Sequence, residues 1–384
     1  MTRRRALFVS HDAGGTIPPV LALAEAFVAR GDDAVVLSQP SVRDRAEAAG
    51  CTFVPATDLP DYERRRAIED QIELVARAMT GRTLGDDLVA LAHDQSVDVV
   101  VVDANLCGAL AAAEQLGQPS AVLLHSMFTT YVTSWFADYW AFLEPAINES
   151  RAAFGLGPAH DWPSVFAGHD RLLAVVPSSF DAPVPDDPDG MRHYGFLVPR
   201  GRVQPGGAKA VAAGYPAGDD PTVLVGLSTT YQRQDELLEV ILDALADLPV
   251  RGLVTTAGQV DTDSLPQPKN VTIAEYVPHT AVLGDTDVMV THAGLGSIAS
   301  ALTAGVPLVC TPISRDQFVN ADRVSEIGAG VALSGAPTAN DVATAIQKVL
   351  TDASYRDGAR VIADVSHAEG GAARAVEELV ELVR

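Results

Sequence analysis

Short apolar runs alternate with longer stretches whose apolar residues recur at helical spacing. In the first half of the chain, this pattern predicts strands at 6–10, 34–37, 97–102 and 120–124, with helices at 17–30 and in much of 63–93. The β-branched run at 97–102 is typical of a strand buried on both faces of its sheet. Strands and helices in alternation indicate parallel sheets flanked by helices.

The second half repeats this alternation after a stretch rich in Pro and Gly. Residues 199–220 are therefore predicted to be a linker between a first domain at 1–198 and a second at 221–384. The second domain is predicted to contain strands at 222–226, 252–255, 288–291 and 306–310, and helices at 236–246, 340–350 and 371–383. We expect an α/β fold of two doubly wound, Rossmann-like domains that face a cleft, with ligands at the carboxyl ends of the strands.

Charge and cysteine usage exclude several classes of partner. The formal net charge of −23 would repel nucleic acid and anionic lipid, so neither is an expected partner. Cys51, Cys107 and Cys310 are far apart and fit no zinc or disulfide spacing. The basic N-terminus is followed by a run too short for a signal peptide, and no run is long enough to cross a bilayer. We therefore expect a cytoplasmic protein, and the sequence leaves open whether it forms a homodimer.

The segment from Thr291 to Ser297 carries the strongest chemical signal. It reads Thr-His-Ala-Gly-Leu-Gly-Ser and lies between a predicted strand and an apolar helix. Its glycines allow close approach of the backbone to a ligand, and Ser297 is a predicted N-cap. A helix that begins there presents N–H groups to a phosphate, beside the histidine. An ordinary glycine-rich turn would give the same pattern.

Other motifs occur in a fixed order around this segment. Tyr276-Val277-Pro278-His279 precedes it, and Gly305-Val306-Pro307 and Arg315-Asp316-Gln317 follow it. Together they resemble the donor-binding signature of the GT-B glycosyltransferases, in particular the UDP-glycosyltransferase and macrolide (antibiotic) glycosyltransferase family. The resemblance is sharp from 276 to 332 and looser elsewhere. It implies an enzyme that uses a nucleotide-sugar co-substrate and needs no further cofactor and no metal.

The resemblance also implies a role for individual residues. Tyr276 would stack on the nucleobase, the Val277 backbone would bond its edge, and His279 replaces the commoner glutamine. The diphosphate would be held by His292, Gly294, Gly296 and Ser297, and the sugar hydroxyls by Asp316 and Gln317. Gly226-Leu227-Ser228-Thr229 resembles a strand-end motif that contacts the phosphates, through Thr229, although a hydroxyl that caps a strand explains Thr229 equally well.

The donor nucleotide is predicted from Ser300. At this position, eight residues after His292, glucose-using members usually carry a glutamate that binds the ribose hydroxyls. Members that use thymidine diphosphate sugars often lack it. We therefore expect a dTDP-sugar, most readily a deoxysugar; the alternative is that Ser300 only packs in its helix.

The catalytic base is the main departure from the family. Asp103, at the end of the 97–102 strand, matches the aspartate that orients the usual histidine, although a helix-capping carboxylate would look the same. The histidine position itself falls on Thr16, whose hydroxyl is too weak a base. We expect His11 to act with Asp103. The alternatives are that Asp103 acts by itself, that Asp12 or His125 is the base, or that His11 only orders its loop through a hydrogen bond.

An acceptor site is predicted from the aromatic residues between Met127 and Phe142. Such a density of rings indicates either a packed helix or the wall of a pocket for a small apolar acceptor, and the family resemblance favours the pocket. Transfer would invert the anomeric carbon by direct displacement. The remaining alternatives are a UDP-glucose-dependent enzyme, an aminoglycoside or lipid-linked-sugar glycosyltransferase, a nucleotide-sugar epimerase of similar architecture, and a non-catalytic homologue.

Overall fold

The computed structural model of the chain describes residues 3–59, 61, 66, 72–184, 188, 190–198 and 214–383. Every strand predicted above is present, with its ends shifted by no more than two residues. Part of the helical region predicted at 63–93 and the linker segment 199–213 lie outside the described residues. The division of the chain at 199–220 therefore stays a prediction.

The first compact unit is built on one parallel sheet of seven strands, in the order β3-β2-β1-β4-β5-β6-β7. Its strands are β1 (Arg5–Val9), β2 (Asp33–Ser38), β3 (Thr52–Pro55), β4 (Val99–Asp103), β5 (Ser120–Leu124), β6 (Arg171–Ala174) and β7 (Met191–His193). Its helices in this part of the chain are α1 (Ile17–Ala29), α2 (Arg43–Ala48), α3 (Ile72–Thr80), α4 (Arg82–Asp94), α5 (Cys107–Leu116), α6 (Phe128–Thr133), α7 (Trp135–Ala153) and α8 (Trp162–Phe166).

The second unit is built on a parallel sheet of six strands, in the order β10-β9-β8-β11-β12-β13. These strands are β8 (Thr222–Gly226), β9 (Arg251–Thr255), β10 (Val271–Ala274), β11 (Val288–Thr291), β12 (Leu308–Cys310) and β13 (Gly330–Ala332). The helices that follow β8 are α9 (Asp235–Ala246), α10 (Leu295–Thr303), α11 (Gln317–Glu326), α12 (Ala339–Thr351), α13 (Ala353–Ala368) and α14 (Gly371–Leu382).

The final helix, α14, belongs to the first unit, which the chain re-enters at Ser366. It packs against α1, and the Tyr194 hydroxyl donates to Glu378 at 2.8 Å. Gly195 has a φ of 74° and lies so close to the Ser366 carbonyl that an added Cβ would come within 2.3 Å of it. Only glycine therefore fits where the returning chain meets the segment after β7.

Apolar strands buried on both faces form the core of each unit. All residues of β4, β5, β8 and β11 are buried, and each fully buried valine or leucine stabilises the fold by roughly 1.5–3 kcal/mol. In both sheets the strand order reverses once, between β1 and β4 and between β8 and β11. Ligands of such sheets bind at the carboxyl ends of the strands that flank this reversal.

In the described part of the chain, no helix is long and apolar enough to cross a membrane. The same residues contain no cluster of His, Cys, Asp and Glu arranged to hold a metal ion. The three cysteines are free and buried.

Candidate active site

The reversal point of the first sheet brings His11, Asp103 and His125 to one edge, because they follow or end β1, β4 and β5. Asp103 is fully buried. Its Oδ1 accepts a hydrogen bond from the Asn105 amide at 2.9 Å, and its Oδ2 lies 3.2 Å from His125 Nδ1. Burial alone would raise the pKa of Asp103, but His125, His11 and the Asn105 amide together hold that pKa below its ordinary value. Asp103 is therefore a carboxylate paired with a histidine.

The histidine paired with Asp103 is His125, and not His11 as expected. His11 is 2% exposed, and its Nδ1 has no hydrogen-bond partner among the described residues. Burial lowers the pKa of His11, against the opposing charge of Asp103, so its ring is neutral near pH 7. The structure thus places His11 close enough to Asp103 to feel its charge, without a hydrogen bond between them in the described part of the chain.

Asn105 joins this pair to the neighbouring aromatic residues. Its Nδ2 lies 3.3 Å from His125 Nε2, and its Oδ1 accepts from the Tyr131 hydroxyl at 3.1 Å. Tyr131, Asn105, His125 and Asp103 therefore form one continuous chain of polar contacts at the sheet edge. Asn105 and Tyr131 are only 7% and 1% exposed, so the core packing around them fixes the positions of these polar contacts.

Thr16 and Asp12 have structural partners in the loop between β1 and α1. The Thr16 hydroxyl is buried, donates to the His11 carbonyl and accepts from the Ala13 amide. Asp12 forms an ion pair with Arg45. The residue at the family's histidine position thus fixes the loop backbone.

The aromatic residues after β5 pack mainly on one another. Tyr131 stacks on Phe136 at 4.3 Å between ring centroids, and Trp162 meets both rings edge to face. We expected Phe128 and Tyr131 to line an open pocket. Each is only 1% exposed, so both belong to the core. Phe136, Tyr139 and Trp140 are half-buried and pack against the core, whereas Phe142 is 63% exposed.

The reversal point of the second sheet lies between Gly226, which ends β8, and His292, which follows β11. His292 is buried, and an added Cβ on Gly294 would lie 2.4 Å from its Nε2. Burial, reinforced by the positive charge of Arg315, lowers the pKa of His292 to about 3, against a hydrogen bond to the Gly226 backbone. His292 is therefore a neutral imidazole packed on Gly294.

The helix after this histidine begins earlier than predicted. Gly294 is the N-cap of α10, whose first residue is Leu295, so the prediction that Ser297 is the N-cap is wrong. The amides of Ser297 and Ile298 both donate to the Gly294 carbonyl. Glycine, with no side chain to compete, caps this end, and the amides of Leu295 and Gly296 are those that an α-helix leaves for an external acceptor.

His279 lies on the other side of Gly226. An added Cβ on Gly226 would come within 2.4 Å of the His279 ring, and the ring's Nε2 lies 3.0 Å from the Thr255 hydroxyl. Burial lowers the pKa of His279 to about 4. Two neutral imidazoles, His279 and His292, thus flank a glycine at which no larger residue fits.

Gln317 is 2% exposed and orders the loop after β12. Its Oε1 accepts from the amides of Ile313 and Ser314 at 2.9 and 3.0 Å, and its Nε2 donates to Gln232 at 2.8 Å. Gln232 in turn donates to the Ser228 hydroxyl at 2.9 Å. The predicted contact of Gln317 with a sugar remains untested, and in this structure its amide joins the loops after β8 and β12.

Asp316 and Arg315 lie at the start of α11. Asp316 Oδ2 accepts from Asn320 Nδ2 at 3.0 Å, and the same amide donates to the Ala293 carbonyl at 3.1 Å. Ala293 and Arg315 both have positive φ, 62° and 59°, which is unusual for residues with a side chain. Asn320 therefore links the predicted phosphate loop to the predicted sugar-binding aspartate.

The remaining predicted donor residues lie at the same edge of the second sheet. Val277 is buried and Tyr276 is half-buried, both between β10 and a 3₁₀ turn at His279–Ala281. Thr229 is exposed, whereas its neighbour Ser228 is buried. Ser300 is half-buried and donates to the Gly296 carbonyl at 2.9 Å. Every predicted donor residue thus follows a carboxyl strand end or lies in the helix after it.

Comparisons with known proteins find glycosyltransferases among the proteins similar to this chain. Residues 239–382 match the family described as the C-terminal domain of erythromycin biosynthesis protein CIII-like proteins. The chain is 26% identical to 4'-demethylrebeccamycin synthase of Lentzea aerocolonigenes, over 99% of this chain and 98% of that protein. The solved kitacinnamycin glycosyltransferase has a TM-score of 0.80 at 24% identity and full coverage of both chains. VinC, solved in complex with dTDP, has a TM-score of 0.73 at 22% identity, with 99% of each chain covered.

The chain is a glycosyltransferase, and its residues 239–382 resemble the erythromycin CIII-like C-terminal domain. The two parallel, Rossmann-like units described above have the GT-B fold.

Sequence reasoning missed several residues of this glycosyltransferase that the structure places at its two sheet edges. Asn105 is two residues beyond Asp103, but its link to His125 and Tyr131 depends on β5 and α6 and has no signal in the sequence. Asn320 is three residues after Gln317, one helical turn along α11, so the helix that begins at Gln317 was the available signal. Gln232 carries no local motif at all.

Proposed function

We propose that this glycosyltransferase moves a sugar from a dTDP-sugar, most readily a deoxysugar, to a small apolar acceptor with inversion of the anomeric carbon. The observation that carries the donor assignment is Ser300. This half-buried residue of α10 donates to its own helix at Gly296, and its side chain is too short to bridge two ribose hydroxyls. Without a carboxylate at this position, the 2′-hydroxyl of a ribose contributes less binding free energy than it does in glucose-using relatives. The dTDP complex of VinC supports the same nucleotide.

The chemistry is a direct displacement. The acceptor hydroxyl attacks the anomeric carbon, the bond to the diphosphate breaks, and the leaving group takes the electron pair. The first turn of α10 would stabilise the leaving diphosphate through the Leu295 and Gly296 amides and the helix dipole. His292 would contribute a hydrogen bond and no charge, because it is neutral.

A positive charge near this loop comes from Arg315. Its guanidinium is close enough to lower the pKa of His292, and one of its nitrogens donates to the Thr230 hydroxyl at 3.3 Å. In the proposed reaction, Tyr276 and Val277 bind the nucleobase of the donor, and Asp316 and Gln317 bind the hydroxyls of its sugar.

The donor assignment is tested by comparing dTDP-glucose with UDP-glucose under identical conditions with one acceptor. The wild-type enzyme should have the higher kcat/KM with the thymidine donor, and Ser300→Glu should shift the ratio towards uridine. Ser354→Glu, at an exposed position in α13, adds the same charge elsewhere and should leave the ratio unchanged. A clear preference of the wild type for UDP-glucose would refute the dTDP assignment.

A further inference from the structure

The pair formed by His125 and Asp103 has the geometry of an oriented general base. We propose that His125, positioned by Asp103 and Asn105, is the catalytic base that takes the proton of the acceptor hydroxyl, in place of the missing histidine at Thr16. This inference rests on the proposed transfer reaction and assigns its base to the carboxyl end of β5. It replaces His11 in that role.

The first argument is the tautomer that the contacts impose on His125. An ionised Asp103 can only accept, and its Oδ2 lies 3.2 Å from His125 Nδ1, so its charge favours the tautomer with the hydrogen on Nδ1. Because the Tyr131 hydroxyl donates to Asn105 Oδ1, the amide turns its Nδ2 towards His125 Nε2. Nε2 then accepts and holds its lone pair, as a base must. The acceptor hydroxyl would take the place of the Asn105 amide as the donor to Nε2.

The second argument is access. The His125 side chain is 11% exposed, whereas that of Asp103 is completely buried. His125 is therefore the member of the pair that a substrate can reach, with the carboxylate behind it. His11 is only 2% exposed.

The third argument is orientation. The His125 ring lies between two polar groups, with its Nδ1 3.2 Å from Asp103 Oδ2 and its Nε2 3.3 Å from Asn105 Nδ2. The charge of Asp103 also favours a proton on His11, but no carboxylate of the described residues lies within ion-pair distance of that ring, as Asp103 does for His125. Proton transfer to His125 places the new positive charge against Asp103, which compensates for it.

The proposed step balances as follows. The acceptor O–H gives its proton to His125 Nε2 while its oxygen forms a bond to the anomeric carbon. The bond between that carbon and the diphosphate oxygen breaks, and the nucleoside diphosphate leaves with the electron pair. The imidazolium then releases the proton to solvent.

Two phenols of different acidity give the sharpest kinetic test. His125→Gln should lower kcat with 4-methoxyphenol by roughly 10² or more, the usual scale for a general base, with donor KM little changed. The loss should shrink with 4-nitrophenol, which is largely ionised at pH 8 and needs little help from a base. A merely structural role would lower both rates by the same factor, and that result would overturn the proposal. So would a larger loss in His11→Gln than in His125→Gln.

His169→Gln is the matched control. His169 contacts the Ser120 hydroxyl at the opposite end of β5, and it is a neutral histidine because burial lowers its pKa to about 4. This variant should retain normal rates with both phenols. An equal loss in His169→Gln and His125→Gln would show that the effect is structural and would overturn the proposal.

A second measurement does not depend on turnover. Nitrogen-15 NMR of the wild-type protein should show neutral His125 protonated on Nδ1, and Asp103→Asn should disturb that tautomer. Protonation on Nε2 in the wild type would overturn the proposal even if transfer occurs. Absence of transfer by the wild type to any acceptor, with the Nδ1 tautomer present, would instead count against the proposed function alone.

Discussion

The two sheets reverse their strand order in the same way, yet the residues at the two reversal points differ in kind. In the first unit, a buried carboxylate and two histidines meet where β1, β4 and β5 end. In the second, glycines, amides and two neutral histidines meet around β8 and β11. In the proposed reaction, the first edge moves a proton and the second surrounds an anion with N–H groups. The same sheet topology would then serve two tasks, which differ because different residues follow the strands.

The largest effect that would separate the two edges is expected for Asp103→Asn. The amide cannot stabilise a proton on His125, so kcat should fall by roughly 10² or more while the affinity for dTDP is unchanged. Steady-state kinetics and titration calorimetry measure the two quantities. Asp170→Asn is the control, because Asp170 accepts from the Ser120 amide at the other end of β5. A loss of dTDP affinity in Asp103→Asn would show that the two tasks are not separate.

The converse change in the second unit is His292→Ala. It should weaken dTDP binding by about tenfold to about 150-fold, since a hydrogen bond to a charged group is worth roughly 1.5–3 kcal/mol, and the fold should remain intact. Calorimetry with dTDP gives the affinity, and circular dichroism gives the fold. Unchanged affinity would remove His292 from the diphosphate site.

A smaller effect is expected from a methyl group at Gly294. Gly294→Ala would place its Cβ 2.4 Å from the His292 ring and should destabilise the protein by about 1–3 kcal/mol. At Gly296 nothing lies within 4 Å of an added Cβ, so Gly296→Ala should leave the thermal midpoint unchanged or higher. It should nevertheless weaken dTDP binding if a phosphate approaches that backbone. Equal midpoints for the two variants would contradict the packing of His292 on Gly294.

The smallest effect concerns stability in acid. Burial lowers the pKa of His279 to about 4 and of His292 to about 3, from about 6.5 in the unfolded chain. At a pH between the folded and the unfolded pKa, the unfolded state binds more protons than the folded state. The free energy of unfolding therefore decreases as the pH falls from 6.5 towards 4. The urea midpoint of His279→Gln should fall less than that of the wild type over this interval. Identical slopes would show that His279 is not buried as a neutral ring.

The parallel sheets and the strand, turn and helix around the predicted donor motif could be predicted from the sequence, because each depends on residues that are close together in the chain. The run from Thr291 to Ser297 shows the strand, the turn and the helix in order, and only the N-cap was predicted at the wrong residue. Serine is a preferred N-cap because its side chain can accept a hydrogen bond, and Gly294 has no side chain that could have signalled its role. The partner of Asp103 was harder to find. His11 and His125 both follow a strand next to β4, and the choice depends on ring orientation, which Asn105 and Tyr131 fix from distant parts of the chain.

The central claim, inverting transfer from a thymidine diphosphate sugar, is tested most directly by the anomeric configuration of the product. The wild-type enzyme is incubated with dTDP-α-D-glucose and a panel of small aromatic acceptors, glucosides are found by mass spectrometry, and their linkage is determined by NMR. The account predicts a β-linked glucoside. An α-linked product, or hydrolysis of the donor with no glucoside of any acceptor, would contradict it.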